Sequence, residues 1–135
     1  MGSLEYTNDA PSGMPSIQPL SMIFDRSSHE LILLSRGSDK KLTTFSIDVV
    51  KQHMEEKQSI PDINGITRVE RSYKHFIIQS GETLHVLKAH DVKHSKKVEN
   101  VKSFQSSILD EVIVYQSSKA THLLNLDTHV DKEQS

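Results

Sequence analysis

Two stretches decide how this chain is read: KHFIIQSGETLHVLKAHD at 74–91 and DEVIVYQSSKATHLLNLD at 110–127. Each is an apolar run, a small polar break, and a second apolar run that fades into an aspartate. A third stretch has the same form: HELILLSRG at 29–37, the break SDKK, then LTTFSIDVV. Short runs rich in Ile, Leu, Val, Phe and Thr, bounded by Gly, Ser, Asp and Lys, are strand signals.

Laid together, the three units form columns. Leu31, Phe76 and Val112 share the first, Ile32, Ile77 and Ile113 the second, Leu33, Ile78 and Val114 the third. A Glu or His stands just before each: Glu30, His75 and Glu111. The second runs align as Phe45–Asp48, Leu87–His90 and Leu124–Asp127. A weaker leading run precedes each pair: LSMIF, ITRVE and VKSFQ. Roughly nine strands result, at spacings of about 45 and then about 36 residues, in the range of propeller-type repeats.

One segment breaks the pattern. DVVKQHMEEKQ places Val49, Val50, His53 and Met54 on one side of a helix, with Asp48 as its N-cap and Pro61 beyond its end. The expected fold is therefore all-β: three-stranded antiparallel blade-like units, as a propeller fragment or a small β-sheet domain, with one short helical insertion. The units span about 19–48, 65–91 and 98–128, the helix about 49–58. Residues 1–18, with Pro11, Gly13 and Pro15 among polar residues, read as a flexible arm, and 129–135 as a frayed tail.

The three units resemble degenerate blades of a WD40-like β-propeller over about residues 19–128. Asp48 and Asp127 stand where that family carries the aspartate of its Trp-Asp pair, preceded here by Ile47 and Leu126. The Gly-His pair is absent, and so is tryptophan. The resemblance implies scaffolding of protein assemblies. Propellers close with typically four to eight blades, so three cannot complete a ring. An unclosed set leaves sheet edges that template pairing with a partner.

Composition bounds the rest. The chain has 135 residues, 35% apolar and 25% charged, with a formal charge of −2, enough for one domain with a real core. That charge argues against general nucleic-acid binding. Without cysteine there are no disulfides, thiolate metal sites or Cys nucleophiles. No basic start with an apolar run marks a secretory signal, and no run approaches the ~20 apolar residues of a membrane span. The expected location is intracellular, cytoplasm or nucleus.

Candidate chemistry is sparse. No GxSxG, Walker or GxGxxG pattern occurs, and Asp25, Asp48 and Asp127 fall at strand ends, where turn roles account for them. The expectation is no enzyme, no cofactor and no metal. His85, His90, Asp91 and His94 are the residues a metal- or His-dependent enzyme would use, but their spacing matches no metal motif. The leading reading is a non-enzymatic protein-interaction or scaffold module in a larger complex, with Val49, Val50 and Met54 as partner-binding residues. The alternative is a small β-barrel or roll that binds an anionic ligand or phosphoinositide through Lys88, Lys93, Lys96 and Lys97.

Overall fold

The computed structural model describes residues 16–26 and 28–134, so the proposed arm lies almost wholly outside the described residues. The described chain is all-β, in twelve strands and no helix. They form three four-stranded antiparallel sheets, each a simple meander in chain order. Sheet 1 contains β1 (Ile17–Asp25), β2 (Glu30–Gly37), β3 (Lys41–Asp48) and β4 (His53–Pro61). Sheet 2 contains β5 (Ile66–Arg71), β6 (His75–Ser80), β7 (Thr83–Lys88) and β8 (Asp91–Val98). Sheet 3 contains β9 (Ser103–Ser106), β10 (Val112–Gln116), β11 (Thr121–Asn125) and β12 (Asp131–Gln134). No closed barrel or roll forms among the described residues.

The helix expected at 49–58 is not there. Residues 49–52 are a turn, in which the Lys51 amide donates to the Asp48 carboxylate at 3.1 Å and Gln52 takes a left-handed φ of 52°. The chain then returns as β4, pairing with β3 from Asp48↔His53 to Lys41↔Pro61. Two β-branched valines are modest helix formers, and the apolar stripe is too short to outweigh a full strand ladder. The same oversight recurs in each unit. The expected three strands are four, because β4, β8 and β12 (HMEEKQSIP, DVKHSKKV and DKEQ) are charged and show no apolar run. Residues 129–135, expected to be a frayed tail, contain β12, paired with β11.

Alternation along the strands builds two cores, with sheet 2 between its neighbours. Ile23, Ile32, Leu34 and Leu42 of sheet 1 pack with Phe76, Ile78, Leu87 and Val92 on one side of sheet 2. Ile77, Leu84, Val86 and Val98, on the other side of sheet 2, pack with Phe104, Ile113, Tyr115 and Leu124 of sheet 3. Each fully buried aliphatic side chain contributes roughly 1.5–3 kcal/mol relative to exposure. The sheets stack in the same sense, with β1 beside β5 and β4 beside β8. Turn chemistry fixes the registers locally. Gly81, at φ 60°, opens the two-residue turn that joins Ser80 to Thr83, the position where primed hairpin turns take glycine.

Candidate functional site

The second and third strands of each sheet give one buried cross-strand pair to the sheet before it. In sheet 2 the pair Phe76↔Leu87 faces sheet 1; in sheet 3 the pair Ile113↔Leu124 faces sheet 2. Packing thus matches Ile113 with Phe76, and Val114 with Ile77. The sequence columns, which set Ile113 beside Ile77, are out by one residue in the third unit. A one-residue slip exchanges the two faces of a strand. Corrected, Val114 and Leu123 stand in sheet 3 where Ile77 and Val86 stand in sheet 2, on the side that receives the next sheet.

No described sheet follows. Val114 is 44% and Leu123 40% exposed, in the cross-strand row Gln105–Val114–Leu123–Lys132. The opposite end of the stack is also apolar. On the side of sheet 1 turned away from sheet 2 run two rows: Phe24–Leu31–Ile47–Met54 and Met22–Leu33–Phe45–Glu56. Within these rows Leu33 and Phe45 are buried, at 8% and 3% exposure, and beside them Met22 is 43% and Phe24 46% exposed. Contiguous exposed apolar residues of this kind mark interaction surfaces.

The outer edges of the sheets are different. β4, β8 and β12 carry Glu55, Glu56, Lys57, Lys93, Lys96, Lys97, Lys132 and Glu133 along their lengths. Charged edge strands resist pairing with a foreign strand. The outer edges formed by β4, β8 and β12 are thus guarded, and the end faces carry the exposed apolar residues.

Of the residues nominated for partner binding, Met54 lies in an outward row, paired with Ile47. Val49 and Val50 sit at the β3–β4 hairpin tip, Val50 at 93% exposure, and share no stripe with Met54. The four lysines are likewise divided. Lys93 and Lys97 line an open cleft of about 670 Å³ between β8 and the Ser59–Asn64 segment, with His85, Ser80 and Ser95. Lys96, paired with Val86, faces the sheet 3 side, and Lys88 lies at the end of β7 opposite Asp91. Burial, and then the charge of Lys97, pushes the His85 pKa down. Asp62, on the opposite wall, is engaged by Arg36 at 3.1 Å.

The histidines do not converge. His85 lines the cleft, His90 Nε2 lies 2.5 Å from Asp25, and His94 bonds Asp91. A different polar cluster forms at the junction of sheets 2 and 3. Ser72 donates to Glu111 Oε2 at 2.7 Å, and His75 Nδ1 lies 2.7 Å from the same oxygen. The Glu111 side chain is 11% exposed, and its Oε1 is buried with no hydrogen-bond partner among the described residues. Burial acts to raise the Glu111 pKa, but the hydrogen bonds from His75 and Ser72, the adjacent imidazole and the Lys74 amide outweigh it and hold it below the usual value. Asp127 brings a carboxylate within 4.8 Å of the His75 and Glu111 donor atoms, so these three are the described residues able to share a metal ion. The sequence singled out all three as repeat positions, but nothing in their spacing showed that they meet.

The chain matches no protein-family model and no curated protein.

Proposed function

We propose that this chain is a non-enzymatic protein-interaction module, acting inside the cell in a larger complex, whose end faces receive further β-sheets. The observation that carries this reading is the exposed pair Val114 and Leu123, in the register that is buried between sheets elsewhere in the same chain. A propeller-type assembly, with this chain supplying three blades, is the form that best fits a stack unable to close on itself. The partner is a protein sheet with an apolar face, added by stacking rather than by strand pairing. Purification of tagged wild type, a Val114→Arg/Leu123→Arg variant and a Lys96→Ala edge variant from cells tests it. A stable partner retained by wild type and the edge variant but lost from the face variant supports the reading. Equal recovery by all three, or none by any, refutes it.

A second reading rests on the cleft, where Lys93, Lys97 and His85 share one wall while the acid opposite is engaged by Arg36. An anionic ligand such as a phosphorylated headgroup fits that charge. Calorimetric titration with inorganic pyrophosphate, and sedimentation with phosphoinositide vesicles, should both show binding that Lys93→Ala/Lys97→Ala removes. Heat or pelleting unchanged in the variant rules this reading out.

A further inference from the structure

We infer that the occupant of each end face is a second copy of this chain, two copies stacking head to tail to close one ring of sheets. This rests on the interaction-module reading and names its partner. Three observations carry it.

The first is continuity with the interfaces already present. Both internal junctions join the forward side of one sheet to the backward side of the next: Ile32 and Leu34 meet Phe76, Ile78 and Leu87, and Ile77 and Val86 meet Ile113 and Leu124. What remains exposed is one forward side, with Val114 and Leu123, and one backward side, with Met22 and Phe24 beside the buried Leu33 and Phe45. A second copy supplies the missing half of each junction in the same sense.

The second is charge. Across the sheet 1–sheet 2 junction, Glu55 of β4 points to the side from which Lys93 and Lys97 of β8 approach; across the next, Lys96 of β8 faces the side that carries Asp131 and Glu133 of β12. At the first junction Glu55 is engaged by Lys57 of its own strand at 3.3 Å, so the opposed charges stand at the second, Lys96 against Asp131 and Glu133. The free ends repeat the arrangement of the second junction: the outward row of sheet 3 ends in Lys132, and an outward row of sheet 1 ends in Glu56. Head-to-tail stacking brings Gln105–Val114–Leu123–Lys132 over Met22–Leu33–Phe45–Glu56, strand upon corresponding strand. Face-to-face contact between two identical ends, with corresponding strands superposed, would oppose Lys132 to Lys132 or Glu56 to Glu56.

The third is number. Three sheets are too few to close, and twice three lies within the four to eight blades with which propellers close. A head-to-tail contact makes a ring when its rotation closes and a filament when it does not. Here one two-fold axis produces both contacts, each pairing sheet 3 of one copy with sheet 1 of the other.

Light scattering on size-separated protein, over a range of concentrations, reads the answer. Wild type is expected at twice the 15.3 kDa of one chain, with no larger species as concentration rises. Val114→Arg/Leu123→Arg and Met22→Arg/Phe24→Arg are each expected at the mass of one chain, with an unchanged far-ultraviolet dichroism spectrum to show that the sheets remain folded. Lys132→Glu should weaken the pair at least ten-fold, and Lys132→Glu with Glu56→Lys should restore it. A wild-type monomer, a mass that grows with concentration, or a dimer that survives loss of either face overturns the proposal. A monomer that still loses a separate partner chain when Val114 and Leu123 are replaced overturns the second copy but leaves the module reading standing. A monomer whose faces hold no partner removes both.

Discussion

Tyr115 donates its phenolic hydrogen to Asp131, so the last strand of sheet 3 is tied to a residue two strands away. Between them His122 stacks on the Tyr115 ring, centroids 4.5 Å apart and planes 3° from parallel, and its Nδ1 lies 2.9 Å from the other Asp131 oxygen. One carboxylate thereby anchors an otherwise exposed strand of four residues. Tyr115→Phe should cost about 1.5–3 kcal/mol, the range for a hydrogen bond to a charged group, and Asp131→Ala more, because it also removes the contact at His122 Nδ1. Amide hydrogen exchange should show β12 losing protection while β6 keeps it.

The same bond predicts an alkaline response. Burial first, then the hydrogen bond to Asp131 and its charge, push the Tyr115 pKa well above its ordinary value of 10.0. A folded pKa above the unfolded one means that the contribution is complete below that ordinary value and is lost as pH climbs past it. Wild type should therefore lose stability above pH 10 more steeply than Tyr115→Phe, in denaturant titrations at stepped pH.

Glu111 gives the opposite sign. Its folded pKa lies below the ordinary value of 4.5, so its contribution is present above that value and lost as pH falls through the folded pKa. Glu111→Gln should remove about 1–3 kcal/mol at neutral pH and flatten the acid limb of the stability profile relative to wild type. An acid limb as steep in the variant would show that the bonds to His75 and Ser72 contribute nothing.

Equivalent register positions should respond unequally. Ile77 is buried between sheets 2 and 3, and Ile77→Ala should destabilise by about 2–5 kcal/mol. Val114→Ala, at the corresponding place in sheet 3, should change the stability of the separated chain by no more than about 0.5 kcal/mol. Chemical denaturation of the monomer measures both. A large loss at Val114 would mean that its face is already covered.

Gln52→Gly separates turn from helix at the β3–β4 connection. In a helix interior glycine costs about 1 kcal/mol relative to the best formers. At a left-handed φ of 52° glycine relieves strain, so the melting temperature should rise. A fall would restore the helical reading of residues 49–58.

The buried strands were legible because their side chains carry the signal. LILL, FIIQ and VIVY are apolar runs flanked by turn residues, and the pairings Leu33↔Phe45, Phe76↔Leu87 and Ile113↔Leu124 join runs recognised as neighbours. The fourth strands were not legible. Edge strands that must resist foreign pairing are built from Lys, Glu and Gln, and so read as loop, helix or tail. The one-residue offset in the third unit was hidden as well: VIVY is apolar at every position but its last, and only packing shows that Ile113 and Tyr115 point inward while Val114 does not. Met54 was named from a helical stripe, whereas the structure puts it on strand β4 opposite Ile47. The meeting of His75, Glu111 and Asp127 needed the third dimension.

The guarded edges have a consequence for how material made of this chain behaves. If the end faces receive further sheets as proposed, the charged outer edges leave addition a single direction and a built-in polarity. Stoichiometry is then counted by curvature: units join until the first meets the last, and the copy number is whatever completes the turn. Such a particle would have a defined size without any separate terminator.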